Sequence, residues 1–293
     1  MRYNEKFSGF ATALMVVSFL VLPFALYSKK KTDSPRADIK VSYNYHKKYV
    51  RGTDGIVETD IPFILLANPV ESKFFNRKTE YKDSLQSTPS GKAIAKQIFD
   101  EAFKKYWDTK DLSMMDAVVY KTQLYVFKSK IKNEYCVYDY VGMTGNYYYT
   151  ETIDDIAWEI SDSTTTLLGY ECVMASAPYH GRQWTVWFAP EIPVQDGPWK
   201  LHGLPGLILE AYESSGQHHF LADGLEESDE VMVPIYDRKR YDRTSRIEML
   251  KMERNSRENG NAMINAQIGL NLGPDAPVTD ETKKYDFLET DYH

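Results

Sequence analysis

Pro190-Glu-Ile-Pro193-Val-Gln-Asp196-Gly-Pro198-Trp-Lys-Leu-His202-Gly-Leu-Pro205-Gly206 is the stretch on which the fold turns. Four of its 17 residues are proline and three are glycine. Proline locks φ and removes a donor, while glycine opens the left-handed region. Neither a helix nor a central strand tolerates that density. Yet Ile192, Val194, Trp199, Leu201 and Leu204 are interleaved with the breakers, unlike a polar linker. The stretch therefore predicts a stiff apolar loop packed on the body of the protein.

Immediately before it, Arg182–Ala189 alternates. Trp184, Val186 and Phe188 share one face of a strand, and Gln183, Thr185 and Trp187 share the other. Immediately after it come Leu207–Tyr212 and His218–Asp223, which read as a hairpin. Further upstream, strands are expected at Ile39–Tyr49, Ile61–Ala67, Val118–Val126, Tyr135–Tyr140, Asn146–Glu151, Ile153–Ser161 and Leu167–Ser176, and downstream at Val231–Ile235. Residues 71–89 are polar and read as irregular. Residues 90–107 carry apolar positions at helical spacing and predict a helix lying across the sheet. The expected fold is α+β: a curved antiparallel β-sheet, a half-barrel-like meander, with a packed helix and an N-terminal signal or anchor helix.

Arg2 and Lys6 precede an apolar run over residues 7–27, as in a secretory signal or membrane anchor. The expected organisation is a signal or anchor at 1–28, a spacer at 29–38, one domain at 39–235 and a basic, helical and loop extension at 236–293. Export predicts a periplasmic or cell-envelope location, and residues 7–27 offer a route to the membrane. A net charge of −7 argues against nucleic acid as a partner. The two cysteines, Cys136 and Cys172, are either one disulfide of an exported chain or two buried thiols.

No metalloprotease, phosphate-loop, dinucleotide or nucleophile-elbow motif is present. No catalytic residue, metal or cofactor is therefore assigned. Adjacent His218 and His219 point to opposite faces of a strand and cannot readily share an ion. Glu191, Asp196 and His202 lie within 12 residues and could serve acid–base chemistry. A periplasmic hydrolase using Asp196 and His202 is thus one alternative, although Asp196-Gly197-Pro198 is also an ordinary turn sequence. A purely structural envelope protein is another.

Gly197-Pro-Trp-Lys-Leu-His-Gly-Leu-Pro-Gly-Leu-Ile-Leu-Glu210, with Leu168–Cys172, Gly181–Pro193 and Tyr285–Leu288, resembles the GLPGLI family of exported Bacteroidetes proteins. The resemblance is strong over about 168–212. It implies export and encoding near outer-membrane transport proteins, and it carries no established activity. Phe188-Ala189 departs from the tyrosine-threonine-like pair expected before the proline. The combined expectation is non-enzymatic binding of an apolar ligand or an outer-membrane transport partner. The binding candidates are Arg182, Trp184, Trp187, Trp199, His202, Gly203, Leu204, Pro205 and Gly206.

Overall fold

The computed structural model describes residues 34–50, 55–142, 144–258 and 287–292. The signal or anchor expected at 1–28 lies outside them. Two antiparallel meanders make up almost the whole sheet. The first comprises β1 (Ile39–Val50), β2 (Ile56–Ala67), β3 (Glu71–Phe75), β4 (Tyr125–Ser129), β5 (Glu134–Val141) and β6 (Gly145–Thr152). The second comprises β7 (Glu159–Leu167), β8 (Tyr170–Tyr179), β9 (Arg182–Ala189), β10 (Leu207–Glu213) and β11 (His218–Glu227). They join where β1 pairs with β11, from Ile39 opposite Glu227 to Lys47 opposite His218. A two-residue parallel strand, β12 (Asp242–Arg243), extends the β6 edge. The result is one open sheet of 12 strands, with β12 and β7 at its ends. The β7 edge is built of Ser, Thr and Asp residues, mostly exposed, which discourages edge-to-edge pairing.

Strand alternation loads both faces. Tyr43, Phe63, Phe74, Val137, Trp184, Val186 and Phe220 belong to one buried cluster. Leu66, Phe75, Tyr125, Tyr138 and Tyr148 belong to a second. A sheet apolar on both faces needs two covers. The Pro/Gly loop covers the first face: Ile192, Val194, Trp199, Leu201 and Leu204 are all buried there. Helix α3 (Arg246–Glu258) adds Met249 to the same cluster. The second face receives α1 (Arg77–Gln86) and residues 231–241, including Met232 and Tyr241. We call these the loop side and the helix side.

Three expectations need correction. The long helix, α2 (Pro89–Thr109), begins one residue before the expected start, capped by Thr88, but it does not lie on the sheet. It packs on α1 and a 3-10 turn at Leu112–Ala117, one layer out, because its buried contacts are the small residues Gly91 and Ala102. Residues 71–89 are not irregular but hold β3 and α1. Most of the strand expected over 118–126 is the unpaired chain after that turn, with pairing starting at Tyr125. Of the two readings of the cysteines, the free thiols hold, with Cys172 buried and Cys136 half-buried. They sit on β5 and β8, with seven strands between, far beyond the roughly 7 Å Cα reach of a disulfide.

Gly206 shows how tightly the loop is seated. A Cβ there would stand 2.2 Å from the carbonyl oxygen of Ala189. Gly216, in the β10–β11 turn, has φ +69 with open space around it. Gly216→Ala should therefore cost only backbone strain, about 1 kcal/mol. Gly206→Ala must displace backbone and should lose roughly 3 kcal/mol or more. Chemical denaturation of both variants checks the order; equal losses would contradict the seating.

Candidate functional site

The loop is bound across the sheet by side chains from the opposite meander, and by Trp158 just before β7. Lys128 on β4 reaches the Asp196 carboxylate and donates to the carbonyls of Gly197 (2.9 Å) and Leu201 (3.1 Å). The lysine is fully buried, and burial lowers its pKa against the pull of Asp196. Tyr135 on β5 contacts His202 Nδ1 at 2.6 Å and donates to the Lys200 carbonyl at 2.8 Å. Trp158 donates to the His202 carbonyl at 2.8 Å. Burial, with Lys128 nearby, lowers the pKa of His202 and favours the neutral ring.

Lys200 is completely buried and pairs with Glu151 of β6 (2.5 Å) and Glu289 (2.9 Å). Arg246, at the start of α3, holds Glu289 (2.6 Å) and Asp291 (2.8 Å). These pairs fasten residues 287–292 onto the loop. Burial works against ionising Glu289, but Lys200, His180 and Arg246 together outweigh it and keep the carboxyl low. His180, Glu289 and Asp291 have ligand atoms close enough to share a cation. Lys200 and Arg246 already neutralise both acids, so the group reads as an ion-pair network.

The sequence-derived candidates separate on this frame. Trp184 and Trp199 meet with ring centres 5.7 Å apart, both buried. Trp187 lies half-buried on the alternate positions of β9. Arg182 donates to the Phe287 and Leu288 carbonyls and to Glu213 (3.1 Å), so it holds the C-terminal segment. Leu204 and Gly206 are buried; Gly203, at φ +89, and Pro205 are exposed. Asp196 and His202 face each other in an isolated bridge, each held by its buried partner.

The open space on the loop side lies beside Trp199, in a cavity of about 290 Å³. Its apolar lining comes from Tyr45, Phe63, Val137, Tyr149, Trp199 and Leu250. Its polar groups are Asp139 of β5, Glu253 and Arg257 of α3, Lys47, Lys121 and Glu289. Glu253 is bonded to Arg257 at 2.6 Å. Burial, with Glu253 adding repulsion, pushes the Asp139 carboxyl up to about 7. Among the candidates named from sequence, only Trp199 lines this cavity. Tyr45 lies on the expected strand Ile39–Tyr49 and Val137 and Asp139 on the expected strand Tyr135–Tyr140, but nothing in the sequence brought these strands and α3 to one cavity.

Residues 179–210 match a family model described as "Protein of unknown function (Porph_ging)". That segment is the end of β8, β9, the loop and the start of β10. No curated protein matches the chain in sequence. Two solved structures, "Structure of PNGF-II in P21 space group" and "Structure of PNGF-II in C2 space group", are each 13% identical to it. Each covers 75% of this chain, with TM-scores of 0.49 and 0.47, and the chain spans 34% and 33% of their lengths.

Between pH 3.8 and about 7 the folded chain keeps the Asp139 proton that the unfolded chain gives up. The contribution of this group to stability therefore falls as pH rises through that window. Asp139→Asn removes the slope. Its thermal midpoint relative to the parent should rise from pH 4 to pH 8; parallel midpoint curves would contradict the assignment.

Proposed function

We propose that the protein is an exported, GLPGLI-type cell-envelope component that binds a small apolar or amphipathic molecule in the loop-side cavity. The sheet in this reading curls as a half-barrel around that space, with the strap of 190–206 closing one end. The carrying observation is the cavity itself. Its volume of about 290 Å³ is lined on one part by aromatic and aliphatic side chains and on another by charged ones, Lys47, Lys121, Asp139, Glu253, Arg257 and Glu289, a composition that suits a small molecule with an apolar body and a polar end. Support for export is the basic and then apolar N-terminal sequence. An outer-membrane transport protein is the partner that the sequence resemblance suggests for delivering or receiving the ligand.

Hydrolysis through Asp196 and His202 has no comparable support. Among the described residues, the space that Asp196 and His202 line holds about 20 Å³, and both side chains are engaged in holding the loop. Binding of N-phenyl-1-naphthylamine, a neutral apolar fluorophore, tests the cavity. Leu124 lines it and is half-buried, so Leu124→Trp adds bulk into the space. One saturable site should appear in the parent and weaken at least about tenfold in the variant, with little change in thermal midpoint. No binding, or equal binding by a folded variant, would overturn the proposal.

A further inference from the structure

Helix α2 presents a face that nothing in the described fold covers. Lys92, Lys96, Phe99, Phe103 and Trp107 recur at intervals of three and four, so they line one side of the helix. Phe99, Phe103 and Trp107 are 46%, 42% and 56% exposed. Phe99 stacks on Phe103 (5.7 Å, 12°), and Phe103 meets Trp107 edge-on (5.9 Å, 81°). Lys110, the C-cap, stands 3.7 Å from the centre of the Trp107 ring. Three large rings in a continuous exposed ladder are unusual on a protein that meets only water.

A groove of about 340 Å³ runs beside the ladder, between α1, α2 and the chain after the 3-10 turn. Leu85, Ala95, Ile98, Phe99 and Val118 are among its walls, and Lys82, Lys92 and Lys96 stand at it. Asp100 is the acid nearest the ladder by helical spacing, and it is bonded to Lys96 at 2.5 Å. This face is thus basic and aromatic on a chain whose net charge is −7.

We propose that this face docks on an anionic lipid bilayer. The rings of Phe99, Phe103 and Trp107 enter the headgroup boundary, the lysines meet lipid phosphates, and the groove accepts part of an acyl chain. Aromatic residues flanked by lysine suit that boundary, where one side of the helix is apolar and its rim is charged. A neutral protein groove would cover the rings but give Lys92 and Lys110, at the rim of the ladder, no acidic partner. The inference is independent of the loop-side cavity.

The test follows tryptophan emission of the full chain titrated with vesicles of phosphatidylcholine alone or mixed equally with phosphatidylglycerol. Residues 1–33 contain no tryptophan, so insertion of the N-terminal run does not itself report. A blue shift is expected with the mixed vesicles and should vanish in Trp107→Phe, which keeps an apolar ring. Lys92→Glu with Lys96→Glu should raise the lipid concentration at half-shift at least about tenfold. Phe103→Ser, at an exposed position, should weaken the shift without lowering the thermal midpoint. Absence of a Trp107-dependent shift overturns the proposal, as does an equal shift on phosphatidylcholine alone. Vesicle association without that shift means tethering through the N-terminal run only and also counts against it.

Discussion

Lys128 and Asp196 form the contact on which the structure hangs. One belongs to β4 in the first meander; the other sits in the loop that links β9 and β10 in the second. Both are buried. Removing two charges from water costs several kcal/mol per ion, recovered only when the remaining polar atoms are satisfied. Here the lysine also bonds the Gly197 and Leu201 carbonyls, and the carboxylate accepts from the Gly197 amide at 2.7 Å. A loop so held can act as the roof of a core.

Around that contact the apolar terms accumulate. Trp184 and Trp199 are buried together, with Trp199 at φ +53, a conformation that costs a non-glycine residue on the order of 1 kcal/mol or more. Burying a ring system of this size removes on the order of 200 Å² from water, roughly 5 kcal/mol by area. The strain is therefore readily offset. Prolines at 190, 193, 198 and 205 act in the same direction, by restricting the unfolded chain. The same roof leaves a gap beside Trp199, where α3 and β5 bring carboxylates to an aromatic floor. Packing and the candidate binding site thus share a residue.

Much of this was legible from residue order. Arg182–Ala189 alternates cleanly because one face packs and the other does not, and it is a strand with those same bounds. The loop declared itself because breakers and apolar residues alternate. Helix α1 was invisible for a physical reason: its buried positions are Thr79, Glu80 and Asp83, which bond Thr122, Lys73 and Tyr125. A helix buried through polar contacts has no apolar period. In α2 the period was real but misleading, since the aromatic stripe faces outward and small residues make the contact. Cysteine parity likewise says nothing about which strands lie side by side. The cavity was illegible because it draws on β1, β2, β5, β6 and α3, which only the sheet order brings together.

Hydrogen exchange at the loop amides tests the roof most directly. Gly197 donates to its neighbour's carboxylate, Leu201 to the Pro198 carbonyl at 3.1 Å, Gly206 to Leu204 at 2.8 Å and Ile208 to Asp196 at 2.9 Å. If the loop opens only when the sheet does, these amides exchange as slowly as those of β9 and β10. Exchange of the 196–206 amides within seconds, beside protected strands, would mean that the loop is a surface appendage and not the part that holds the two meanders together.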